Sequence, residues 1–301
     1  MTMIVGYAPD ERGKAALHLA GMLARSADDD LVVASVLPAP WIPGMAKVDA
    51  EYREYLDETA AQALERARAY LPGDVPATFV PHTSRSAPAG LLELAERHGA
   101  NVIVLGSSSH GPFGHIALGS VTDRLVHSSP VTLALAPRGY RCKRDQKVVR
   151  ATAAYGGSVS ADDLVVAAAT VAARTSASLR IASFAVWARP AYTTTLGTDS
   201  EDGVLDEWTT TMERAASNAA EAVEGLSAVP PVEAVIGRGS SWAEAIDDIG
   251  WNEGDVLVVG SSELGPVAQV FLGSRATKIL RNSPAPTFVV PRSRAEALTH
   301  A

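Results

Sequence analysis

The sequence predicts an α/β fold of two tandem domains, each built on a five-stranded parallel sheet with helices on both faces. The chain has 301 residues, about twice the length of an ordinary domain. Its two halves share a long repeated segment. Within each half, short aliphatic runs alternate with longer segments whose apolar residues recur every three or four positions. Strands that alternate with helices in this way form parallel sheets covered on both sides.

The composition excludes several classes of protein. Hydrophobic residues make up 47% of the chain and charged residues 20%, so each half can bury a core. The formal net charge of -8 argues against a nucleic-acid partner, because phosphate binding needs a basic face. Apolar runs are too short to cross a membrane, and the first residues do not resemble a signal peptide. With Cys142 as the single cysteine, these features predict a cytoplasmic protein without disulfides.

The repeat is clearest between Val102–Arg138 and Val256–Arg292, which align without a gap at an offset of 154, with 14 of 37 positions identical. The starts of the halves match more weakly, with Tyr7 aligned to Tyr155. The identical positions of the long segment include Gly106/Gly260, Gly111/Gly265, Gly119/Gly273, Ser120/Ser274, Pro130/Pro284 and Pro137/Pro291. A shared glycine framework of this kind indicates a duplicated domain.

The elements of both halves follow from β-branched and aliphatic runs for strands and from helical apolar spacing for helices. In the first half the predicted strands are Met3–Tyr7, Leu31–Leu37, Ala77–Pro81, Val102–Leu105 and Val131–Ala136. The predicted helices are Gly13–Ser26, Ala50–Tyr70, Ala87–His98 and Ser120–His127. In the second half the predicted strands are Val148–Ala154, Leu179–Val186, Val232–Ile236, Val256–Val259 and Thr287–Val290.

These elements place the first domain at residues 1–139 and the second at residues 147–292, followed by a tail at 293–301. Segment 140–146 is rich in Arg and Lys. We interpret it as a short solvated linker that carries Cys142 as an incidental thiol, with a basic contact site as the alternative.

The segment after the fourth strand of each half is rich in glycine and serine, and it predicts a ligand site. Doubly wound sheets bind ligands at the carboxyl ends of their strands, and the free amides at a helix start attract phosphate. Ser120 and Ser274 are expected either to cap these helices or to bind phosphate oxygens. The candidate residues are Gly106, Ser107, Ser109, Gly111, Gly119, Ser120 and Val121 in the first half, and Gly260, Ser261, Gly265, Gly273 and Ser274 in the second.

This segment resembles the G-x2-G-x9-G-[S/T] loop of the universal stress protein family. Gly106 matches its first glycine and Gly119 its last, and Gly260 and Gly273 match likewise. The resemblance extends over both halves. It implies Rossmann-like domains of the adenine nucleotide alpha hydrolase-like kind, with ATP or a related adenine nucleotide held by the loop. It also places Tyr7 and Ala8, at the end of the first strand, among the nucleotide contacts.

Four residues depart from the family's pattern. The middle glycine of the motif is Ser109 in the first half and Glu263 in the second. Where nucleotide-binding relatives place an aspartate for the ribose hydroxyls, this chain has Ala8 and Gly156, and Asp10 comes two residues later. A glutamate beside phosphate oxygens adds like-charge repulsion. The nucleotide is therefore expected in the first half rather than the second.

The resemblance implies a stress-response binding and regulatory module with an unidentified protein partner, rather than a dedicated catalyst. The alternative is an ATP-binding switch with slow hydrolysis, in which Gly106, Ser107, Gly119 and Ser120 hold the phosphates. The sequence has no G-x-S-x-G nucleophile motif and no metal-ligand spacing. His110 and His115 are predicted to be solvent-exposed loop residues.

The fifth strands, Val131–Ala136 and Thr287–Val290, are apolar and are predicted at the sheet edge. Exposed apolar edges aggregate unless they are paired. Domains of the family commonly dimerise through this strand. We therefore predict that the two strands pair within the chain as an internal pseudo-dimer, and further association into a homo-oligomer stays open.

Overall fold

A computed structural model describes residues 1–39, 46–156, 159–187, 231–263 and 270–291, together with residues 207, 209–211, 213–218 and 221. The first half contains β1 (Thr2–Gly6), α1 (Glu11–Ala27), β2 (Asp30–Pro38), α2 (Ala46–Tyr70), β3 (Ala77–Ser84), α3 (Ala87–Arg97), β4 (Val102–Gly106), α4 (Ser120–Val126) and β5 (Thr132–Ala136). The predicted order of its elements is confirmed, and each boundary moves by only a few residues.

The second half repeats this order. It contains β6 (Arg150–Ala154), α5 (Val159–Thr175), β7 (Ser178–Val186), β8 (Val232–Gly239), α6 (Trp242–Asp248), β9 (Asp255–Gly260), β10 (Ser262–Glu263), β11 (Val270–Phe271), α7 (Ser274–Asn282) and β12 (Thr287–Val290). The described residues between 207 and 221 are helical. The short antiparallel pair of β10 and β11 was not predicted.

Ten of the described strands form one sheet in the order β3-β2-β1-β4-β5-β12-β9-β6-β7-β8. Within each half the strands are parallel, and Ile4 of β1 lies between Val32 of β2 and Ile103 of β4. The direction of winding reverses between β1 and β4, and again between β6 and β9. In open α/β sheets such a reversal leaves a crevice at the carboxyl ends of the two strands.

Helices cover both faces of this sheet, as predicted. Helices α1, α2 and α5 share one apolar core, and α3, α4, α6 and α7 share the other. Neighbouring residues of β1 illustrate the division, because Val5 belongs to the first core and Ile4 to the second. Each core includes residues from both halves, so the sheet and both of its faces are continuous across the join.

The join itself is the predicted pairing of the two fifth strands. Strand β12 runs antiparallel to β5, with Phe288 opposite Ala134 and Val289 opposite Leu133. All the residues of both strands are buried. Beside this pairing, Arg174 of the second half forms an ion pair with the buried Asp29 of the first at 2.8 Å.

The segment between the halves differs in part from the predicted solvated linker. Arg141, Lys143 and Arg144 are exposed as expected. Tyr140 is partly buried, and Cys142 donates from its thiol to the backbone carbonyl of His18 at 3.2 Å. The linker therefore lies along α1 of the first half, and Cys142 is a half-buried packing residue. Burial raises the pKa of its thiol, so it stays protonated at neutral pH.

Within the described part of the chain, no helix is both long and apolar enough to cross a membrane. Over the same residues, no group of three or more His, Cys, Asp or Glu side chains could hold a metal ion.

Candidate functional site

A cleft of about 220 Å³ opens at the carboxyl ends of β1 and β4, the point where the winding of the first half reverses. The lining divides by the elements that supply it. Strands β2 and β4 and helix α3 supply an apolar group, which we call the apolar end: Ala34, Val36, Ala87, Leu91 and Leu105. The starts of α1 and α4 and the loop before α4 supply a polar group, which we call the polar end: Arg12, Ser108, Gly119, Ser120 and Thr122.

Two glycines let the backbone close the bottom of this cleft. A Cβ atom on Gly106 would lie 2.1 Å from the carbonyl oxygen of Arg12, and one on Gly13 would lie 1.9 Å from that of Ala8. Neither distance is compatible with a side chain. Gly106 therefore lets the start of α1 rest directly on the end of β4, and its place in the motif has a packing reason independent of any ligand.

Tyr7 and Ala8, predicted as contacts at the end of the first strand, both line the cleft. Tyr7 is buried, and its burial raises the pKa of the phenol, so it remains an uncharged hydrogen-bonding group. Ala8 offers only a methyl group to the cleft. Ribose hydroxyls placed here would lack the carboxylate that nucleotide-binding relatives use.

Asp10 does not replace that carboxylate, because it caps α1. Its side chain accepts from the backbone amides of Arg12 at 2.9 Å and Gly13 at 3.1 Å, and from the Arg12 guanidinium at 2.8 Å. Burial alone would raise the pKa of Asp10. The hydrogen bonds from the Arg12 side chain and the Gly13 amide outweigh that effect and lower it. Asp10 is therefore an ionised helix cap that also orients Arg12.

Ser107 holds the loop between β4 and α4 in place. This corrects the expectation that Ser107 contacts phosphate. Ser107 is buried, and its hydroxyl accepts from the amide of Ala117 at 2.7 Å. A Cβ on Gly111 would lie 2.3 Å from that of Ala117. Neither Ser107 nor Gly111 is among the residues that line the cleft, and Ser109 is exposed outside it. The loop folds on itself, and Ser108 is its serine on the cleft wall.

The start of α4 forms the polar wall without a side-chain cap. Gly119 is the N-cap, with φ -89° and ψ 173°, and Gly273 is the N-cap of α7 in the second half. The expectation that Ser120 and Ser274 are the N-caps is therefore wrong. Each is the exposed first residue of its helix. Ser120 and Val121 both line the cleft, and the Ser120 hydroxyl is free to meet a ligand.

The described part of the second half contains some of the corresponding residues. Among the described residues, a Cβ on Gly260 would lie 3.6 Å from the Leu164 side chain, an ordinary van der Waals contact. Ser261 is buried, Gly273 is half-buried and Ser274 is exposed. Gly265, the remaining candidate, lies outside the described residues.

The two loop histidines are not equivalent. His110 is exposed as predicted, and its Nδ1 lies 3.5 Å from the Ser108 hydroxyl. His115 is half-buried, and its Nδ1 is buried without a hydrogen-bond partner among the described residues. The prediction that His115 is solvent-exposed is wrong. Its backbone carbonyl accepts a hydrogen bond from the amide of Arg138 at 2.9 Å, which keeps the residue half-buried against the end of β5.

Sequence reasoning missed Arg12, Gly13 and Ser108 as cleft residues. Arg12 and Gly13 belong to the A-P-D-E-R-G segment that leads from β1 into α1, and the helix start carries them to the cleft. An N-capping aspartate followed two residues later by arginine was the available signal. Ser108 could not be distinguished from its serine neighbours without the fold of the loop.

The fold and the cleft define the class of protein. It is a tandem doubly wound α/β chain whose first half has a ligand crevice where the winding reverses. The sequence profile described as "Universal stress protein family" matches residues 1–137 and 149–291. The chain belongs to the universal stress protein family.

Relatives support this assignment over nearly the whole length. Universal stress proteins of Mycobacterium bovis and Mycobacterium tuberculosis are 37% identical over 299 residues, which cover 97% of this chain and 100% of theirs. The fold is similar to that of a universal stress protein from Archaeoglobus fulgidus, at a TM-score of 0.61 and 20% identity over 97% of this chain and 98% of the other. The fold is also similar to that of a putative universal stress protein from Pseudomonas aeruginosa, at a TM-score of 0.55 and 13% identity over 100% of this chain and 98% of the other.

Proposed function

We propose that the first half binds an adenine nucleotide such as ATP in the cleft between β1 and β4, and that the chain works in the cytoplasm as a nucleotide-responsive regulatory module in stress. The observation that carries the proposal is the division of this cleft into an apolar and a polar end. A nucleotide has the same division, because a flat base is joined to charged phosphates.

The apolar end has the chemistry for a base. Leu91 and Leu105 offer branched aliphatic surfaces, and Val36 and Ala34 of β2 complete the wall. Binding sites for small molecules are typically apolar with a few convergent polar groups. The base would be held by contact area and by the exclusion of water.

The polar end has the chemistry for phosphate. Arg12 supplies a cation, and the chain at Gly119, Ser120 and Val121 carries the first amides of α4 along the wall. Charge-assisted bonds from a guanidinium to phosphate are among the strongest that a site offers. Since Asp10 holds Arg12 through two of its nitrogens, the cation is oriented before a ligand arrives.

Two features keep this binding weak. Ala8 leaves the ribose hydroxyls without a carboxylate. The cleft volume of about 220 Å³ is also below the roughly 300 Å³ at which ligand pockets usually begin, so part of the triphosphate remains in solvent. Weak binding suits a module that responds to changes in nucleotide concentration, and it favours regulation over turnover.

The test combines released nucleotide with thermal stability. Protein purified without added nucleotide is denatured and its supernatant examined for adenine nucleotides, and ATP is then titrated against the melting temperature. Ligand at ten times its Kd stabilises a protein by about 1.4 kcal/mol, which raises the melting temperature of domains this size by roughly 3 °C. If no nucleotide is released and millimolar ATP causes no shift, the proposal fails.

Gly119→Val and Gly273→Val form a matched pair for locating the site. Valine tolerates the φ of -89° at Gly119, and its Cβ would lie 3.5 Å from that of Ser108, an ordinary contact. Gly119→Val is therefore expected to keep the fold while filling the polar end of the cleft, and to remove the shift with ATP. Gly273→Val should retain it. Equal losses in the two variants would contradict the assignment to the first half.

A further inference from the structure

A second cavity, of about 90 Å³, lies between α1 and the segment that joins the halves. We call it the linker pocket. Its wall carries Lys14, His18, Arg25, Lys143 and Arg144, together with Tyr70, and includes Leu17, Gly21, Pro72 and Cys142. Three of these residues belong to the linker, and Tyr70 and Pro72 lie at the end of α2. The cavity is distinct from the cleft at β1 and β4 and shares no lining residue with it.

The charge of the linker pocket is opposite to that of the whole protein. The chain has a formal net charge of -8, whereas the pocket wall carries four permanent cations and no carboxylate. Lys14 and Lys143 pair with exposed glutamates outside the wall, at 2.8 Å and 2.6 Å. Exposed pairs of this kind contribute little and leave donors free. Arg144 forms no ion pair within the described part of the chain, so its charge is available.

Arg25 lies beside the Cys142 thiol, and one of its guanidinium nitrogens has no acceptor among the described residues. Its side chain is 9% exposed, and its Nε donates to Asp74 at 2.6 Å. Its Nη1 is buried and has no hydrogen-bond partner among the described residues. A buried guanidinium nitrogen without an acceptor is costly and uncommon in native structures. In a pocket wall it points to an acceptor supplied by a ligand.

We propose that the linker pocket binds a small phosphate dianion, either free inorganic phosphate or the phosphate group of a small phosphorylated metabolite. A volume of about 90 Å³ has room for one phosphate group but is too small to enclose a whole nucleotide. Arg25 offers the phosphate its Nη1 as a donor. Lys143 and Arg144 of the linker offer further positive charge.

Such an anion would hold the linker against both halves. His18 and Arg25 belong to α1 of the first half, and Arg144 belongs to the linker. Lys143 of the linker also pairs with Glu253 of the second half. Phosphate in the pocket would neutralise the repulsion among the cations that now face one another. Its occupancy would therefore stiffen the connection between the halves.

The experiment titrates inorganic phosphate, and separately glycerol phosphate, into the full chain by calorimetry at low ionic strength. Arg144→Gln is compared with Lys147→Gln, a matched control, because Lys147 is an exposed cation directly after the linker that does not line the pocket. Removing one charge-assisted bond should weaken phosphate binding by about tenfold in Arg144→Gln, with less than about twofold change in Lys147→Gln. Arg144 is exposed, so the variant is expected to fold.

Gly119→Val closes the phosphate part of the nucleotide cleft, so the phosphate binding that this variant retains is assigned to the linker pocket. Binding of inorganic phosphate alone supports a site for the free anion, and equal binding of glycerol phosphate supports a site for a phosphorylated metabolite. The proposal is overturned if neither ligand binds at about 10 mM, if Lys147→Gln loses as much affinity as Arg144→Gln, or if the loss occurs only in Gly119→Val.

Discussion

Each half has an equivalent contact between a helix and a strand. In the first half the glycine of this contact lies on the helix, and in the second half it lies on the strand. Where α3 meets β3, the strand carries His82 and Ser84 and the helix carries Gly90, whose added Cβ would lie 3.1 Å from both side chains. Where α6 meets β8, the strand carries Gly237 and the helix carries Ala245. A Cβ on Gly237 would lie 2.0 Å from the carbonyl oxygen of Ala245. The two glycines stand on opposite sides of equivalent contacts.

This exchange shows that the repeat preserves the combined volume of the side chains that face each other, rather than the identity of either residue. Helix and strand can approach closely when either one gives up its side chain. The carboxylates at this contact follow the same pattern. Glu93 of α3 accepts from the side chains of His82 and Ser84, whereas Asp248, near the end of α6, accepts from the backbone amide of Arg238. Residue-by-residue alignment of the halves misses such pairs.

The largest expected effect is the difference in unfolding free energy between alanine variants of Gly106 and Gly260. Gly106→Ala places a Cβ 2.1 Å from the backbone of Arg12, so β4 and α1 must move apart, and we expect a loss of about 3 kcal/mol in the free energy of unfolding. Among the described residues the Cβ of Gly260→Ala meets only a leucine methyl, and we expect this variant to change the free energy of unfolding by less than about 1 kcal/mol. Urea unfolding of both variants gives the two values. Similar losses would show that the glycines have one role in both halves.

The next effect tests the exchanged contact. Gly237→Ala is expected to cost about 2 kcal/mol, because its Cβ meets a backbone oxygen. Gly90→Ala should cost roughly half as much, since the Cβ meets movable side chains, the nearest being a methyl of Val36 at 2.6 Å. Val36→Ala should recover part of the Gly90→Ala loss, and a double-mutant cycle on unfolding free energies measures the recovery. Strict additivity would contradict this account of the contact.

The smallest effect is a dependence on pH at the contact of α3 with β3. Hydrogen bonds from His82 and then Ser84 hold the pKa of Glu93 below its ordinary value of 4.5. A carboxylate with a lowered pKa in the folded state stabilises the protein above the ordinary value, and this contribution is lost as the pH falls through the folded value. Glu93→Gln should flatten the decline of α3 protection between about pH 5 and pH 3 in hydrogen exchange. Parallel pH profiles for the parent and variant would exclude this role of Glu93.

The sequence predicts the order of strands and helices along the chain, the repeat and the pairing of β5 with β12, because these depend on apolar patterns and on glycine spacing. It does not distinguish residues that hold the loop from residues that line the cleft. Ser107 and Ser108 are neighbours of the same type. One is buried under Ala117 and the other faces the ligand space, since successive residues of an extended segment point in opposite directions.

Arg180 is a buried charged residue that the sequence pattern does not predict. It lies in β7 at the position that Val32 has in β2, and sequence pattern favours an apolar residue there. Arg180 is 1% exposed and donates to the carbonyl oxygens of Ile249 and Gly250, with its guanidinium 4.9 Å from the centre of the Trp251 ring. Burial lowers its pKa to about 10, which leaves it charged at neutral pH. Only the fold brings these partners to the end of α6.

The antiparallel join of β5 and β12 also determines whether a domain of this chain can pair with a domain of another subunit. Separate domains that pair through an edge strand dissociate on dilution and can form mixed pairs with related subunits. Here the two strands are parts of one chain, and short connections keep such partners at an effective concentration of the order of millimolar. Mixing with other subunits through this edge would first require separating strands whose residues are all buried. The two unequal halves are therefore inherited as a fixed pair.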